Sequence, residues 1–249
     1  MEFKEKVVFI TGGNSGIGKA TAFAFAREGA KVIIGARREQ EGEKVVEEIK
    51  KNGGEAIFIR TDISQEQNIK NAIQEIVKLY GRLDCAFNNA GILPMYKPLH
   101  EVSVSEYDDV MNINLRGMFL CMKYELSQMV SQGNGAIVNM SSVNGLGGSA
   151  FVSGIYTTAK HAIIGLTRNA ALEYARLGIR INVVCPGAVP TPMLDVFPSE
   201  IIAGISQAHP LGRAATVEEV ANAVLWLCSD KSSFTTGHAL AVDGGLLAM

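Results

Sequence analysis

Short Val- and Ile-rich runs recur along the chain, each followed by a longer stretch whose apolar residues return every three or four positions. Runs of the first kind read as buried strands and stretches of the second kind as amphipathic helices. The pattern predicts strands over Lys6–Thr11, Lys31–Gly35, Ala56–Arg60, Leu83–Phe87, Ala136–Met140, Arg180–Val184 and Ala239–Val242. Between them it predicts helices over Ala20–Arg27, Glu39–Lys51, Gln65–Tyr80, Val104–Met129, Tyr156–Arg176 and Val217–Cys228, several closed by glycines such as Gly29, Gly81 and Gly178. Strict strand–helix alternation implies an α/β fold: a doubly wound parallel sheet of about seven strands with helices on both faces. One domain over residues 1–249 suffices for a chain of this length. Two stretches break the rhythm. Asn112 and Asn114 sit mid-helix, where Asn is a poor former, and so predict local hydrogen bonding or an irregularity. Met193–Gly212 is interrupted by Pro198, Gly204 and Pro210 yet carries Leu194, Phe197, Ile201 and Ile202; it reads as a substrate lid over 190–213, or else as a helix packed on the body.

In such a sheet, ligands bind beyond the carboxyl ends of the strands. The first strand ends in Thr11-Gly12-Gly13-Asn14-Ser15-Gly16-Ile17-Gly18. A glycine turn of this kind lets backbone N–H groups approach a pyrophosphate at a helix N-terminus, although the spacing G-x-x-x-G-x-G departs from the commoner dinucleotide pattern and also suits tight packing. The second strand ends in Ala36-Arg37-Arg38, where an acidic residue reads a free ribose 2′-hydroxyl and an arginine accommodates a 2′-phosphate. Both arginines equally suit a solvated loop. Asp62 follows the third strand and either accepts from an adenine amino group or caps the next helix. The fourth strand delivers Asn88-Asn89-Ala90-Gly91, the fifth delivers Ser141 and Ser142, and the sixth opens into the proline-rich turn Cys185–Pro192. Tyr156 and Lys160 stand four apart on the helix that follows, hence on one face. A phenol with a pKa of about 10 seldom ionises at neutral pH, but a nearby ammonium favours the phenolate, so Tyr156 can serve as acid or base. A hydroxyl at Ser142 supplies the second donor that fixes the reacting oxygen.

Charge and composition narrow the partners. A net charge of −2 and a pI near 6.1 lack the clustered positive excess that nucleic acid or an anionic membrane surface requires. No apolar run reaches membrane-spanning length, and Met1–Lys6 leads into a strand instead of a signal peptide, so a cytoplasmic protein is expected. Cys85, Cys121, Cys185 and Cys228 are scattered in apolar sequence, which suits small core residues and neither a metal site nor a disulfide framework. A small molecule is the expected partner.

Taken in order, these motifs resemble the classical short-chain dehydrogenase/reductase family, a Rossmann-type fold, over essentially the whole chain. The match rests on Thr11-Gly12-x-x-x-Gly16-Ile17-Gly18, Asn88-Asn89-Ala90-Gly91, Asn114, Ser142, Tyr156-x-x-x-Lys160 and Pro186-Gly187-x-Val189-x-Thr191-Pro192. The resemblance implies hydride transfer between nicotinamide C4 and the carbon of a secondary alcohol or ketone. It assigns Tyr156 as proton donor or acceptor, and Ser142 as the group that orients the substrate oxygen. Lys160 would hold the nicotinamide ribose and lower the Tyr156 pKa, and Asn114 would position a relay water. By the same resemblance, Gly12, Asn14, Ser15, Gly16, Ile17, Gly18, Arg37, Arg38, Asp62, Ile63, Asn89, Ala90, Gly91, Tyr156, Lys160, Pro186, Gly187, Val189 and Thr191 would contact the cofactor, Asn89 near the nicotinamide-side ribose and Thr191 at the carboxamide. NADP(H) is expected over NAD(H), since Ala36 replaces the acid usual in NAD-preferring members and Arg37 follows it; Ser15 stands where many NADP-preferring members are basic. No metal is implied. A silent cofactor-binding regulator is the alternative, and an intact Ser142, Tyr156, Lys160 set speaks against it. Leu93, Pro94, Met95, Leu146, Val152, Met193, Leu194 and Phe197 would form apolar walls suited to an alicyclic alcohol or ketone. The weakly charged Tyr156 helix and the Leu246–Met249 tail predict self-association, and the family suggests a homotetramer.

Overall fold

The computed structural model describes residues 1–195 and 197–249. The strands are β1 (Val7–Thr11), β2 (Lys31–Ala36), β3 (Glu55–Arg60), β4 (Cys85–Asn88), β5 (Gly135–Met140), β6 (Ile179–Pro186) and β7 (Ala239–Val242). The helices are α1 (Gly16–Arg27), α2 (Glu39–Lys51), α3 (Glu66–Tyr80), α4 (Val104–Val110), α5 (Gly117–Gln132), α6 (Gly154–Tyr174), α7 (Ser199–Gln207) and α8 (Val217–Cys228). Among the described residues the strands form one parallel sheet in the order β3-β2-β1-β4-β5-β6-β7. The order reverses between β1 and β4, which leaves a crevice at their carboxyl ends.

Alternate residues of each strand face opposite layers. Val8, Ile10, Val32 and Ile34 pack with Phe25 of α1, Val45 and Ile49 of α2 and Val224 of α8. Val7, Phe9 and Ile33 pack on the other face with Ile73 and Ile76 of α3, Met122 of α5 and Ile163 of α6. Phe9, Phe25 and Phe87 are fully buried. Burying a side chain of this kind stabilises by about 1.5–3 kcal/mol, so these two layers fix the register that aligns the strand ends. The four cysteines are free and buried within this interior. No helix among the described residues is long and apolar enough to cross a membrane.

Four elements differ from the sequence expectation. The first helix starts at Gly16 instead of Ala20, so part of the glycine stretch forms the helix's first turn. The helix expected over Val104–Met129 is α4, a wider π turn over Met111–Arg116, and α5. The buried Asn114 explains the break: its Oδ1 accepts from Ile92 N (2.8 Å) and its Nδ2 donates to Ile92 O (2.9 Å), which turns the side chain onto a neighbouring loop. Asp62 does not cap α3, whose N-cap is Gln65; its Oδ1 closes a local turn by accepting from Ser64 N (3.0 Å) and Ser64 Oγ (2.8 Å). In the expected lid, Pro198 and Pro210 do not interrupt structure but bracket α7, as proline does before a helix's first residue and after its last. Val196, inside that span, lies outside the described residues.

A buried polar cluster lies beneath the sheet's carboxyl edge. Asn88 Nδ2 donates to Glu125 Oε2 (2.8 Å) and Asn139 Oδ1 (3.1 Å), and Asn139 Nδ2 donates to Thr167 Oγ1 (2.9 Å), which links β4, β5, α5 and α6. Loss of solvent pushes the Glu125 carboxyl up from 4.5 to about 8, partly offset by the Asn88 amide. The folded chain therefore holds a proton that the unfolded chain releases. Its contribution to stability is full below the unfolded value of 4.5 and is lost as pH rises towards about 8. Glu125→Gln should thus melt relatively higher, against the wild type, at about pH 8.5 than at about pH 5. Thermal unfolding at both pH values checks this, and a pH-independent difference between the two proteins would refute it.

Candidate active site

Beyond the carboxyl ends of the strands lies a cleft of about 1250 Å³. Of the site residues expected from sequence, all line it except Gly18 and Asn114, which pack behind residues that do. The first turn is built for close approach. Gly12 and Gly16 have φ of 66° and 51°, a region that strains residues with a Cβ. A Cβ on Gly18 would stand 2.3 Å from Gly12 O, and one on Gly16 would stand 3.1 Å from Thr191 Cγ2. Ser15, at the N-cap of α1, does not cap it with its side chain, and the first helical turn carries no acid. The helix's leading N–H groups therefore face the cleft, with the positive end of the dipole behind them. That cradle fits a dinucleotide pyrophosphate.

The fourth strand's end supports this turn directly. Thr11 Oγ1 accepts from Asn89 N (3.0 Å) and Ala90 N (3.1 Å), and Asn89 Nδ2 donates to Thr11 O (3.1 Å) and Gly12 O (3.2 Å). Both amide hydrogens of Asn89 are thereby committed to the glycine turn, leaving its Oδ1 for a ligand. Ile63 fits beside Gly117, where a Cβ would come within 2.9 Å of it. At the end of β2, Ala36 is buried while Arg37 and Arg38 are exposed at the cleft. Arg38 reaches Ser15 Oγ (3.4 Å) and Glu41 (3.5 Å), and it donates to Asn14 Oδ1 (2.9 Å) when that amide is turned to receive it. Arg37 makes no hydrogen bond or ion pair among the described residues.

Ser141 and Ser142 have different roles. Ser141 Oγ donates to Lys160 O (2.8 Å), while Lys160 Nζ donates to Met140 O (2.9 Å), so α6 is stitched to the end of β5 in both directions. Ser142 caps the short turn over Val143–Gly145, its Oγ accepting from Asn144 N (3.2 Å). Tyr156 and Lys160 are 8 % and 4 % exposed, and Lys160 Nζ lies 5.4 Å from the Tyr156 ring centre. Burial pushes the Tyr156 phenol up to about 12, against the smaller opposing effect of the Ser142 hydroxyl. Burial likewise brings Lys160 down to about 8. Burial thus sets the Tyr156 phenol with Ser142 as the opposing group, and the lowering expected from Lys160 does not contribute here. Asn114 and Lys160 meet at Gly91, where a Cβ would lie 3.0 Å from Asn114 Oδ1 and 4.0 Å from Lys160 Nζ.

The remaining part of the cleft is apolar. Leu93, Met95, Val152, Met193, Leu194 and Phe197 line it as expected, while Pro94 and Leu146 do not. Ile201 of the expected lid lines it too, and sequence reasoning missed Tyr96, Phe151, Ile205, His209, Leu246 and Leu247, which also line it. The last two belong to the apolar tail, whose backbone Asp243 turns towards the chain's own cleft by accepting from Gly245 N (3.0 Å) and Leu247 N (2.9 Å), while Met249 stays exposed.

A doubly wound sheet, a glycine cradle at a helix N-terminus and a Ser–Tyr–Lys set facing one cleft define a dinucleotide-dependent oxidoreductase. Comparison with known proteins gives the family. The family model matching residues 12–247 is described as enoyl-(acyl carrier protein) reductase. A 2,5-dichloro-2,5-cyclohexadiene-1,4-diol dehydrogenase of Sphingobium indicum is 43% identical, with 98% of each chain covered. A cyclohexanol dehydrogenase of an Acinetobacter species is 42% identical over 98% of this chain and 95% of that one. The crystal structure of a levodione reductase superposes with a TM-score of 0.94 at 38% identity, covering 99% of both chains. The chain belongs to the short-chain dehydrogenase/reductase family. It is an oxidoreductase that moves hydride between a nicotinamide cofactor and a secondary alcohol or ketone, and nothing in these relatives favours a silent regulator.

Proposed function

We propose that the chain is an NADP(H)-preferring dehydrogenase/reductase of alicyclic secondary alcohols and their ketones, with Tyr156 as its acid and base. The observation that carries this reading is the junction within one cleft of the Ser142, Tyr156 and Lys160 groups with an apolar chamber walled by Leu93, Val152, Met193, Leu194, Leu246 and Leu247. A six-membered carbocycle finds apolar contact there and presents a single oxygen to the polar end. The named activities of the cyclohexanol and cyclohexadiene-diol relatives agree with that choice.

In the reducing direction, Ser142 Oγ–H and Tyr156 O–H both donate to the substrate carbonyl oxygen, which polarises the carbonyl and fixes its face. A nicotinamide held between the glycine turn and the Pro186–Thr191 turn would supply the hydride, or accept it in the reverse direction. Tyr156 gives its proton to the oxygen as negative charge develops there, and Lys160, beside the ring, stabilises the phenolate left behind. Asn114 holds the Ile92–Gly91 backbone beside Lys160 Nζ, where a water can return a proton to Tyr156. The Pro186–Thr191 turn, which lines the cleft, would hold the nicotinamide end, with Thr191 as the residue for its carboxamide. Segment 190–213, including α7, serves as the lid over the substrate. The whole chain acts as a single domain, and its four buried free thiols suit the reducing cytoplasm.

Tyr156→Phe should lower kcat by about a hundredfold or more while leaving cofactor affinity nearly unchanged, because a positioned acid/base is worth that much. Steady-state rates with cyclohexanol and its ketone, alongside cofactor titration, measure both quantities; retention of more than about a tenth of the rate would sink the assignment.

Preference for NADP(H) rests on two charges at the adenosine end. Arg37 is free of protein partners among the described residues, and Arg38 brings to Ser15 the positive charge that Ser15 lacks, although Glu41 partly offsets it. A guanidinium pairs with a phosphate through charge-assisted hydrogen bonds. Arg37→Ala should shift kcat/KM towards NAD(H), and Ala36→Asp should shift it further by repelling the phosphate. A wild-type preference for NAD(H), or an unaltered ratio in Arg37→Ala, contradicts this.

Self-association, as a homotetramer, is the remaining part of the reading. The outer side of α6 exposes Thr158, His161, Gly165, Arg168 and Leu172, the last at 80 %, and nearby α5 exposes Phe119. A helix side whose one fixed charge, Arg168, lies among small and apolar residues suits a second copy of the chain. Light scattering at micromolar concentration should give a mass of four chains, and Leu172→Asp should reduce it. A monomeric wild type overturns this point alone.

A further inference from the structure

His209 follows α7 and borders the cleft, yet no step of the reaction uses it. The side chain is 3 % exposed and both ring nitrogens are engaged: Nδ1 lies 2.9 Å from Ile205 O, and Ala188 N donates to Nε2 at 3.1 Å. An amide N–H can only donate, so Nε2 carries the lone pair and Nδ1 the hydrogen. Gly187 presses on the same ring, for a Cβ there would stand 2.4 Å from Nε2. The turn continues the joint, since Leu211 N donates to Gly244 O at 3.2 Å and a Cβ on Gly245 would meet Pro210 Cγ at 3.3 Å. Residues 209–211 therefore join three walls of the cleft: α7, the turn after β6 that carries Val189 and Thr191, and the tail that carries Leu246 and Leu247.

We infer that His209 is a positioning residue for hydride transfer, a clasp that sets the nicotinamide-side turn and the substrate-side helix relative to one another. Holding Ala188 N–H fixes the backbone one residue before Val189, and holding Ile205 O fixes α7 through the same rigid ring. The inference rests on the reading in which the Pro186–Thr191 turn receives the nicotinamide. An apolar side chain of similar size fills the space but leaves Ala188 N–H without its acceptor, so the turn loses its fixed position. Packing alone would register in the stability of the whole chain. A clasp registers in the binding of the two ligands that meet there.

The test uses the full chain as His209→Leu, His209→Gln and His209→Asn. NADPH and NADH affinities are measured by fluorescence titration, kcat and KM with cyclohexanol, and melting without ligand. His209→Leu should weaken cofactor binding by about tenfold, the worth of one well-made hydrogen bond, and raise KM for cyclohexanol with a smaller change in kcat. Glutamine can place its amide oxygen where Nε2 accepts and should recover most of the lost affinity. Asparagine reaches only the Nδ1 position and should not. Wild-type affinity in His209→Leu, equal behaviour of the Gln and Asn variants, or losses that follow the melting temperature alone would each overturn the clasp. Should the Leu variant fail to fold, the Gln and Asn comparison decides. A wild-type chain that binds cofactor and turns over cyclohexanol, beside an unaffected Leu variant, refutes the clasp only; one that binds neither cofactor overturns the proposed function and the clasp with it.

Discussion

The reciprocal bond between α6 and the end of β5 is the contact on which the site's geometry depends. Lys160 Nζ reaches Met140 O while Ser141 Oγ reaches Lys160 O, so one residue of the helix is held at both its side chain and its carbonyl. Ser142 is next on the strand side and Tyr156 is one turn earlier on the helix, and the stitch therefore decides how they face each other. It requires a bare backbone at Gly145, where a Cβ would fall 2.4 Å from Ser141 Oγ and 2.8 Å from Lys160 O. Desolvation then acts on both titrating groups, raising Tyr156 to about 12 and lowering Lys160 to about 8. The protein alone thus keeps Tyr156 protonated. Such a group is poised as a donor, and the charge that makes it an acceptor must come with a reacting oxygen and the Lys160 ammonium close to it.

Much of this was legible because the chemistry sits where chain pattern and topology coincide. Each apolar run stops where polar residues begin, and in a parallel sheet those stops share one edge. Thr11, Asn89, Ser142 and Thr191 could be placed at that edge from the sequence, as could Tyr156 with Lys160 from helical spacing. The helix starting at Gly16 was hidden because glycine is read as a helix breaker, whereas in this first turn the missing Cβ at Gly18 is what admits Gly12 O and Asn89 Nδ2. The proline pair around α7 misled in the same way, since the residue that stops one element also starts another.

What the sequence did not disclose was contact between distant segments. Nothing local distinguishes Ser141 from Ser142, and only Lys160 O, nineteen residues away, makes one a stitch and leaves the other to the cleft. His209 stands between an ordinary helix and a proline, with no periodic partner. The tail's apolar residues read only as needing cover, because a place for Leu246 and Leu247 at the chain's own cleft depends on Asp243 turning the backbone there. Glu125 appears in sequence as one charged position on an amphipathic helix, and only the assembled layers bury it.

That buried carboxyl completes the physical argument. Successive residues at each strand end serve opposite purposes: Asn88 turns into the core towards Glu125 and Asn139, and Asn89 turns to the glycine cradle. On β5, Asn139 joins the same buried cluster, and the next residue offers its carbonyl to Lys160. An all-apolar interior of equal volume would stabilise at least as well, because buried polar groups repay their desolvation only when paired. Apolar contacts tolerate small slips, however, while a hydrogen-bonded chain from β4 through β5 to Thr167 of α6 fixes direction as well as distance. The floor of the cleft is thereby held in register with the helix that bears Tyr156. An acid/base group must lie within hydrogen-bond reach of its oxygen, a tolerance of a few tenths of an ångström, and a directional network beneath the strand ends is what holds the strands and α6 to that tolerance.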